Sequence, residues 1–320
     1  MIRSRRMPSR TGTPFAPDVF RFAPSPNGYL HLGHALSALI NADAARACEG
    51  RLLLRIEDID PARCRPEFEA ALIEDLEWLG VGFESPARRQ SEHIDFFREG
   101  FQTLERRGLV YPCFCSRAKL GRAVAEHEDR SGEKWPRDPD GAAIYPGICR
   151  DLDPGESARR IAEGQGHAWR LRVMQASDIA GPITFREHDT AEPSSSWRAV
   201  EGDPLAWGDV ILMRRDAPAS YHLAVTLDDA AQGVTQVVRG IDLRAATSIH
   251  RLLQNLLGLP EPSYHHHRLI LDEEGRKLSK SIASTSLCEL RASGATPLDI
   301  RKRLGLSPSN PAQRQHAFRR

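Results

Sequence analysis

The order of apolar and polar residues predicts alternating strands and helices over the first third of the chain. An apolar strand beginning at Val19 is followed by a turn rich in proline and then by a helix that ends near Glu49. The leucine-rich run over 51–56 is typical of a strand buried on both faces of a parallel sheet. Apolar positions at helical spacing predict further helices over 66–79 and 91–107. This alternation predicts a doubly wound α/β domain, in which ligands bind at the carboxyl ends of the strands.

The last third of the chain continues this alternation after a region of different composition. An amphipathic helix is predicted over Thr247–Leu257 and ends at Gly258, and a short helix is predicted over 297–304. The three histidines at 265–267 are interpreted as a strand, because neighbouring strand residues point to opposite faces and do not gather around one metal. Further strands are predicted over 207–212, over 221–229 with a turn at its end, and over 237–240.

Residues 113–205 combine many proline, glycine and charged residues with short apolar pieces, which predicts an inserted subdomain. Residues 1–17 are basic and lack an apolar period, so we expect a disordered arm there. The expected order is the arm, the first half of the main domain over 18–112, the insertion over 113–205, the second half over 206–258, a lysine-containing loop region over 259–290, and a short helix with a basic tail over 291–320.

Composition narrows the class of protein further. With 320 residues, of which 40% are hydrophobic, the chain is long enough for about two domains with sizeable cores. Its 44 basic and 43 acidic residues nearly balance, so any surface for nucleic acid is expected as a local patch. No apolar run approaches the roughly 18 residues of a membrane span, and no secretory signal core follows the N-terminus. We therefore expect a cytoplasmic monomer without membrane contact.

The junction between the first strand and its helix has the features of a phosphate site. Pro24 and Pro26 stiffen the turn, while Gly28 and Gly33 lack a Cβ and allow a ligand to approach the backbone closely. The helix that follows would direct its free N–H groups and the positive end of its dipole toward this turn. The sequence therefore predicts that an anion such as a triphosphate binds at the helix start.

Two histidines and a distant lysine-containing loop strengthen this prediction. His31 and His34 are three residues apart, so both imidazoles would face one side of the first helical turn and donate to phosphoryl oxygens. Lys277 and Lys280, in the stretch 277–281, would supply mobile cations to the same phosphates. Each feature alone also fits an ordinary helix start or a solvated lysine loop, but the two together favour a nucleotide site.

These two stretches, His31-Leu32-Gly33-His34 and 277–281, resemble the signatures of the class I aminoacyl-tRNA synthetases. Residues 21–25 and 55–60 resemble the glutamyl and glutaminyl branch of that family, and the likeness extends from about Val19 to Leu290. The resemblance implies a Rossmann-like catalytic domain with an inserted zinc-containing subdomain. It implies catalytic roles for His31, His34 and Lys280, and contacts to ATP, which enters with Mg²⁺, from Pro24, Ser25, Pro26, Gly28, His31, Gly33, His34, Lys277, Ser279 and Lys280.

A pocket for glutamate is implied by the same likeness. Arg21 and Arg239 can each bind a carboxylate bidentately, Glu57 could hold an ammonium group, and Tyr221 could add a hydroxyl donor. Without a ligand, each arginine would be interpreted as half of a surface ion pair, and Glu57 as part of an acidic helix cap. The implied glutamate-binding residues are Arg21, Phe22, Ala23, Pro24, Ser25, Glu57, Tyr221 and Arg239.

Six cysteines without an export signal are expected as thiols or metal ligands and not as a disulfide framework. Cys113, Cys115 and Cys149 could supply three thiolates to one zinc ion, although Cys-x-Cys is not the common finger spacing and reduced structural cysteines are the alternative. Ligand chemistry alone would nominate His127 as the fourth ligand. The resemblance nominates Tyr145, because Tyr-x₃-Cys matches the zinc site of a short glutamyl-synthetase-like family.

The acceptor of the activated glutamate is predicted from the resemblance and from chain length. Only 39 residues follow residue 281, too few for the large helical anticodon-binding part of an ordinary glutamyl-tRNA synthetase. The short family implies ATP-dependent activation of L-glutamate and its transfer to the queuosine base in the anticodon loop of tRNA(Asp). The alternatives are a truncated synthetase that charges a tRNA 3′ end and a catalytically silent RNA-binding paralogue.

Overall fold

The computed structural model describes residues 16–214, 217–271 and 285–308. Within these ranges the strands are β1 (Val19–Phe22), β2 (Arg51–Ile56), β3 (Glu84–Arg89), β4 (Val110–Cys113), β5 (Ala168–Leu171), β6 (Ile183–His188), β7 (Trp197–Gly202), β8 (Ile211–Arg214), β9 (Gln236–Gly240) and β10 (Ser263–His267). The helices are α1 (Leu32–Ala47), α2 (Pro66–Trp78), α3 (Ile94–Arg106), α4 (Arg117–Ser131), α5 (Pro154–Ala162), α6 (Val173–Ala180), α7 (Tyr221–Ala231), α8 (Thr247–Leu257), α9 (Leu287–Ala292) and α10 (Pro297–Arg303).

One sheet contains seven of the strands, in the order β3-β2-β1-β9-β10-β6-β7. Every neighbouring pair in it is parallel except the edge pair of β6 and β7. A separate antiparallel sheet contains β4, β5 and β8. The connection from β1 to β2 passes through α1, the kind of helical crossover that a parallel pair needs. These features confirm the predicted doubly wound α/β class.

Apolar side chains cover both faces of the main sheet, which explains the leucine-rich run in β2. Phe20 and Leu54 pack with α1 in one core, while Val19 and Leu53 belong to another core on the opposite face. This division follows from the strand period, in which successive side chains point to opposite faces. A further core lies among α3, α6, α7 and α8. None of the helices in the described part of the chain is long and apolar enough to cross a membrane.

All of the predicted helices are confirmed. Gly80 follows α2 with φ 73°, and Gly258 follows α8 with φ 65°, both in the left-handed region where a residue without Cβ avoids strain. The helix predicted over 91–107 begins as a short 3₁₀ turn and continues as α3. The short helix predicted near the C-terminus is α10, and the three histidines at 265–267 lie in β10 as expected.

The prediction of a strand over 221–229 is wrong, because this stretch forms the helix α7. Its start is capped by the Ser220 side chain, which accepts a hydrogen bond from the backbone N–H of Leu223. Residues 223–229 are buried without interruption, and a short stretch that is buried on all sides has no period that would distinguish a strand from a helix. The capping serine was the available sequence signal for the helix.

The region between the two halves of the sheet also differs from expectation in its strands. The strand predicted over 207–212 begins only at Ile211 and belongs to the small sheet. β6 and β7 lie within 113–205, where an insertion is expected, yet both are part of the main sheet. Buried and exposed positions alternate from Ile183 to Glu187 in β6, but this period of two is short and lies among charged and small residues.

Candidate active site

A cavity of about 420 Å³ opens where β1, β2 and β9 end, the edge at which a doubly wound sheet binds its ligands. Pro26 and Gly28 are not part of its wall, and the backbone carbonyl of Pro26 instead accepts from the N–H of Arg65. Lys277, Ser279 and Lys280 lie outside the described residues. The other predicted phosphate and glutamate residues all line this one cavity: Arg21, Phe22, Ala23, Pro24, Ser25, His31, Gly33, His34, Glu57, Tyr221 and Arg239.

The predicted phosphate end of the cavity is the start of α1, where two imidazoles cap the helix. The N–H of Gly33 donates to His31 Nδ1 at 3.1 Å, and the N–H of His31 donates to His34 Nδ1 at 3.2 Å. Because each Nδ1 accepts a hydrogen bond, each neutral ring carries its proton on Nε2. The first turn contains no acidic residue, so nothing there opposes an anion at the positive end of the helix dipole.

Gly33 has a role in this cap that the sequence did not indicate. A Cβ at this position would lie 2.9 Å from His31 Cε1 and 3.1 Å from His31 Nδ1. A larger residue would therefore displace the imidazole that caps the helix. The glycine makes room for a side chain of the protein itself, and not only for a ligand.

Arg239, at the end of β9, is 5% exposed, and its hydrogen-bond partners among the described residues are all neutral groups. Its Nη2 donates to Thr247 Oγ1 at 2.7 Å, and its Nη1 lies 3.1 Å from His250 Nδ1 and 3.4 Å from the Tyr221 hydroxyl. Its Nε lies 3.4 Å from His266 Nε2. Among residues 16–214, 217–271 and 285–308, no carboxylate forms a salt bridge with this guanidinium. A buried cation without an anionic partner is costly unless a ligand supplies the anion.

Arg21 lines the same cavity, but its charge is already paired. Its Nε lies 3.0 Å from Asp229 Oδ1, and its Nη2 lies 3.4 Å from Asp229 Oδ2. Asp229 also accepts from Arg55 Nη1 at 2.7 Å, and the Arg55 side chain has no exposed surface. Arg21 is therefore part of an ion pair, as one interpretation of the sequence expects, but this pair is buried and not on the surface.

Glu57 follows β2 and faces the cavity beside this buried ion pair. Its Oε1 lies 3.5 Å from Arg55 Nη2. Burial raises the pKa of Glu57 to about 7, with Asp229 and Asp228 adding to the rise and Arg55 and Arg21 opposing it. The carboxyl group therefore changes charge near neutral pH, which suits a group that meets a ligand cation.

The two acidic residues after Glu57 bind neighbouring parts of the protein. Asp58 accepts from the backbone N–H of Ser91 at 2.8 Å and from its hydroxyl at 2.5 Å. Asp60 accepts from the N–H of Ala62 at 3.2 Å and from Arg63 at 2.8 Å. These contacts hold the loop between β2 and α2.

A second cavity of about 240 Å³ adjoins the first and shares Ser25, Asn27, Glu57 and Tyr221 with it. Arg214, from the end of β8 in the small sheet, also lines this space. The region around Glu57 and Tyr221 can therefore be approached from two sides.

The cysteine cluster, formed by Cys113, Cys115 and Cys149, lies in the small-sheet region. The three sulfur atoms are within 4.8 Å of one another, and none of these cysteines is in a disulfide. The Tyr145 hydroxyl lies 3.8 Å from Cys115 Sγ and accepts from the backbone N–H of Cys149 at 2.7 Å. His127 is not part of the cluster and packs edge-to-face on Trp135 at 4.7 Å. The cluster could hold a metal ion.

Burial raises the pKa of Cys115 to about 11, and the neighbouring thiols Cys113 and Cys149 reinforce the rise. At Cys113 burial acts in the same direction, but hydrogen bonds from Tyr145 and Arg170 outweigh it and lower the pKa. Soft sulfur ligands at this separation are the donors that zinc prefers. A bound cation would also relieve the repulsion between adjacent thiolates.

Sequence reasoning missed several residues that hold this site together. Asp229 falls in the turn of a predicted strand and carries no signal of its own, although it joins two arginines. Arg55 lay within a matched motif, and an arginine inside a leucine-rich strand was a usable signal for a buried ion pair. His250 and His266 gave no such signal, because the chain brings them to Arg239 from separate elements.

The family described as tRNA synthetases class I (E and Q), catalytic domain, matches residues 19–320. The chain therefore belongs to the class I synthetases of the glutamyl and glutaminyl kind, as the fold and the capped helix start indicate. A glutamyl-Q tRNA(Asp) synthetase of Rhodobacter capsulatus is 47% identical over 290 residues, which is 90% of this chain and 100% of that protein. A protein of the same name from Symbiobacterium thermophilum is 38% identical, over 87% of this chain and 82% of that protein. Within its class, the chain belongs to the glutamyl-Q tRNA(Asp) synthetase family.

A solved structure of glutamate-tRNA synthetase from Elizabethkingia anophelis is similar to this chain, with a TM-score of 0.68 and 26% identity. The match covers 87% of this chain and 54% of that one. A methionyl-tRNA synthetase from Mycobacterium tuberculosis, at TM-score 0.52 and 11% identity, shares the fold alone. The chain thus spans about half the length of the glutamate-tRNA synthetase that it resembles.

Proposed function

We propose that this protein activates L-glutamate with ATP and transfers the glutamyl group to the queuosine base of tRNA(Asp). The observation that carries the first half is the buried Arg239, a cation that faces the cavity and has only neutral partners within the described part of the chain. A substrate carboxylate would pair with this guanidinium and accept charge-assisted hydrogen bonds from it. Glu57, across the same cavity, would bind the substrate ammonium group once it is ionised.

In the activation step, an oxygen of the glutamate α-carboxylate attacks the α-phosphorus of ATP. The bond to the pyrophosphate leaving group breaks, and glutamyl-adenylate forms. The protein supplies no nucleophile, so catalysis rests on positioning and on charge stabilisation. We assign Nε2–H of His31 and of His34, the start of α1, and Lys280 to the phosphate oxygens. Mg²⁺ enters with ATP, and removal of one oriented donor of this kind typically lowers a rate by about 100-fold or more.

In the transfer step, a hydroxyl of the cyclopentene diol of queuosine attacks the glutamyl carbonyl carbon. An ester forms, AMP leaves with the bonding electron pair, and the hydroxyl proton is released. The relatives of highest listed identity support this acceptor through their name, and one of them is matched over its whole length. The second cavity, which meets the first at Glu57 and Tyr221, offers room for an acceptor group beside the activated carboxyl.

Labelled glutamate and purified tRNAs test the acceptor directly. We expect label on tRNA(Asp) that carries queuosine, and no label on the same tRNA from cells that cannot make queuosine. tRNA(Glu) should be a poor acceptor. Efficient labelling of the 3′ end of tRNA(Glu) would instead identify a truncated charging enzyme, and labelling of no RNA despite glutamate-dependent pyrophosphate exchange would restrict the proposal to activation.

We further propose that the cysteine cluster binds one structural zinc ion, with Tyr145 as the fourth ligand. Metal analysis of protein purified without chelator should give about one zinc per chain, and Cys149→Ser should lower that value and the melting temperature. Tyr145→Phe should weaken zinc retention against a chelator, whereas the matched control His127→Gln should not. Near-zero zinc in the wild type would refute the site, and full retention in Tyr145→Phe would remove the phenol from it.

A further inference from the structure

Arg239 is hydrogen-bonded to the buried imidazole of His250, which is in turn hydrogen-bonded to a second buried imidazole, that of His222. Arg239 Nη1 lies 3.1 Å from His250 Nδ1, and His250 Nε2 lies 3.2 Å from His222 Nδ1. Because a guanidinium can only donate, His250 Nδ1 must accept, and the neutral ring then carries its proton on Nε2. That proton is donated to His222. Every hydrogen bond from Arg239 to His222 therefore runs in one direction, away from the cation.

Both imidazoles are neutral. Burial lowers the pKa of His250 well below its ordinary value, and Arg239 and His222 lower it further. Burial, followed by Arg239, lowers the pKa of His222 to about 4. The rings are also fixed in place, since His222 packs on Trp207 with centroids 5.4 Å apart and His250 packs on Tyr221 at 5.5 Å.

On the other side of Arg239, a third imidazole separates it from a carboxylate. His266 Nε2 lies 3.4 Å from Arg239 Nε, and His266 Nδ1 lies 2.8 Å from Glu187 Oε1. Glu187 is itself held by Arg244 at 2.8 and 3.0 Å and by Arg198 at 2.7 Å. The charge of Glu187 is thus paired with Arg244 and Arg198. The imidazole of His266 lies between Glu187 and Arg239, so that these two do not form an ion pair.

We propose that His250 is a positioning and specificity residue, a neutral acceptor that orients Arg239 without cancelling its charge. An acidic side chain in this place would satisfy the same N–H group, but it would form an internal ion pair. The positive charge would then be matched before a ligand arrives. With His250 there, the charge remains available to the side-chain carboxylate of the substrate, and a neutral carboxamide gains less. The inference rests on the proposed function, because it assigns the carboxylate at Arg239 to glutamate.

Three substitutions at position 250 separate charge from packing. His250→Gln keeps a neutral acceptor and should retain a glutamate KM within about threefold of wild type. His250→Leu removes the acceptor and should raise this KM moderately. His250→Glu adds a competing anion and should raise it most, by roughly 10- to 100-fold, the range for losing an interaction with a charged group. The KM for ATP should change little in all three, and the preference for glutamate over glutamine should fall most in His250→Glu.

Pyrophosphate exchange with varied glutamate, glutamine and ATP measures all of these values, and thermal unfolding shows that each variant is folded. An unchanged glutamate KM in folded His250→Glu, or equal loss in the Gln and Glu variants, would overturn the inference. If His250→Glu does not fold, the order of His250→Leu and His250→Gln decides, and equal KM values would overturn it. Wild-type protein without glutamate-dependent exchange would refute the proposed function as well, so the two failures are distinguishable.

Discussion

Arg21 and Arg239 line one cavity and are almost equally buried, at 4% and 5% exposure, but the groups around Arg21 are negatively charged and those bonded to Arg239 are neutral. Arg21 pairs with Asp229, whereas Arg239 meets hydroxyls and neutral imidazoles. Removal of one partner of a buried ion pair leaves an expensive uncompensated charge, so the folded protein depends on the pairing of Arg21. A cation held by neutral acceptors keeps its charge for a ligand. Burial alone therefore does not distinguish the two arginines. The charge of their partners does, and it is the reason that we propose Arg239 as the group that binds the substrate carboxylate.

The Arg21 side of the cavity is a compact ionic cluster. Fully buried Arg55 lies 2.7 Å from Asp229, 3.5 Å from Glu57 and 3.9 Å from Asp228. Burial by itself would lower the pKa of Arg55, but these three carboxylates outweigh it and the net shift is upward. Asp228 also accepts from Arg88 at 2.7 Å. The cluster ties β2 and β3 to α7, and it sets the charge that Glu57 meets.

The largest effect that we predict is on stability and follows from removing the carboxylate that Arg21 and Arg55 share. Asp229→Asn should lower the free energy of unfolding by about 3–5 kcal/mol, as expected when a buried charge loses its partner. Denaturant unfolding of the wild type and the variant measures this difference. Arg51→Ala is the matched control, because the Arg51–Glu84 pair is about 45% exposed and should contribute less than about 1 kcal/mol. Similar losses of unfolding free energy in the two variants would show that the buried cluster contributes no more to stability than an exposed ion pair does.

At Arg239 we expect a smaller effect, and one that falls mainly on glutamate binding and less on stability. Arg239→Met should raise the KM for glutamate roughly 100-fold, because two charge-assisted hydrogen bonds to a carboxylate are lost. It should lower the free energy of unfolding less than Asp229→Asn does, since removing an unpaired buried cation also removes its desolvation cost. Steady-state exchange and denaturant unfolding check the two parts. A strongly destabilised Arg239→Met with an unchanged glutamate KM would reverse the comparison.

The sequence could predict the parts of the molecule in which local signals agree. In β2 the apolar run, and in α2 and α8 the closing glycines, led to correct elements because period and end signals coincide there. In α7 the period and the end signals did not agree. The buried run from Leu223 to Asp229 has no clear period, although Ser220 is a helix cap, and the prediction of a strand was wrong. Local pattern alone cannot decide between two structures that are both buried on all sides.

The candidate site shows a similar limit. Eleven of its lining residues were predicted, most of them because the motif at 21–34 and the residues at the ends of β2 and β9 are short and local. The electrostatic difference between Arg21 and Arg239 was not predicted, because it depends on contacts across 208 positions for Asp229 and on residues from α8 and β10 for Arg239. Charge in a folded site is a property of tertiary neighbours, which a single sequence does not reveal.

The smallest change in activity that we predict, roughly tenfold, follows from the titration of Glu57, which also affects stability and tests whether Glu57 belongs to the ionic cluster. Its pKa is raised by burial from the ordinary 4.5 to about 7. The folded protein therefore binds this proton more tightly than the unfolded chain does. The resulting stabilisation is fully present below about pH 4.5 and is lost as the pH rises through about 7. Glu57→Gln lacks this proton, so its stability should fall less over that range than the stability of the wild type.

The same titration should appear in activity, with the opposite sign. Only ionised Glu57 attracts the ammonium group, so kcat/KM for glutamate should rise roughly tenfold between about pH 6 and pH 8 in the wild type. In Glu57→Gln the value should be low and nearly flat over this range. Pyrophosphate exchange in buffers of constant ionic strength measures both profiles, with kcat/KM for ATP as the internal control. A Glu57→Gln profile parallel to that of the wild type would assign the titration to another group, and the Arg21 side of the cavity would then have only a structural role.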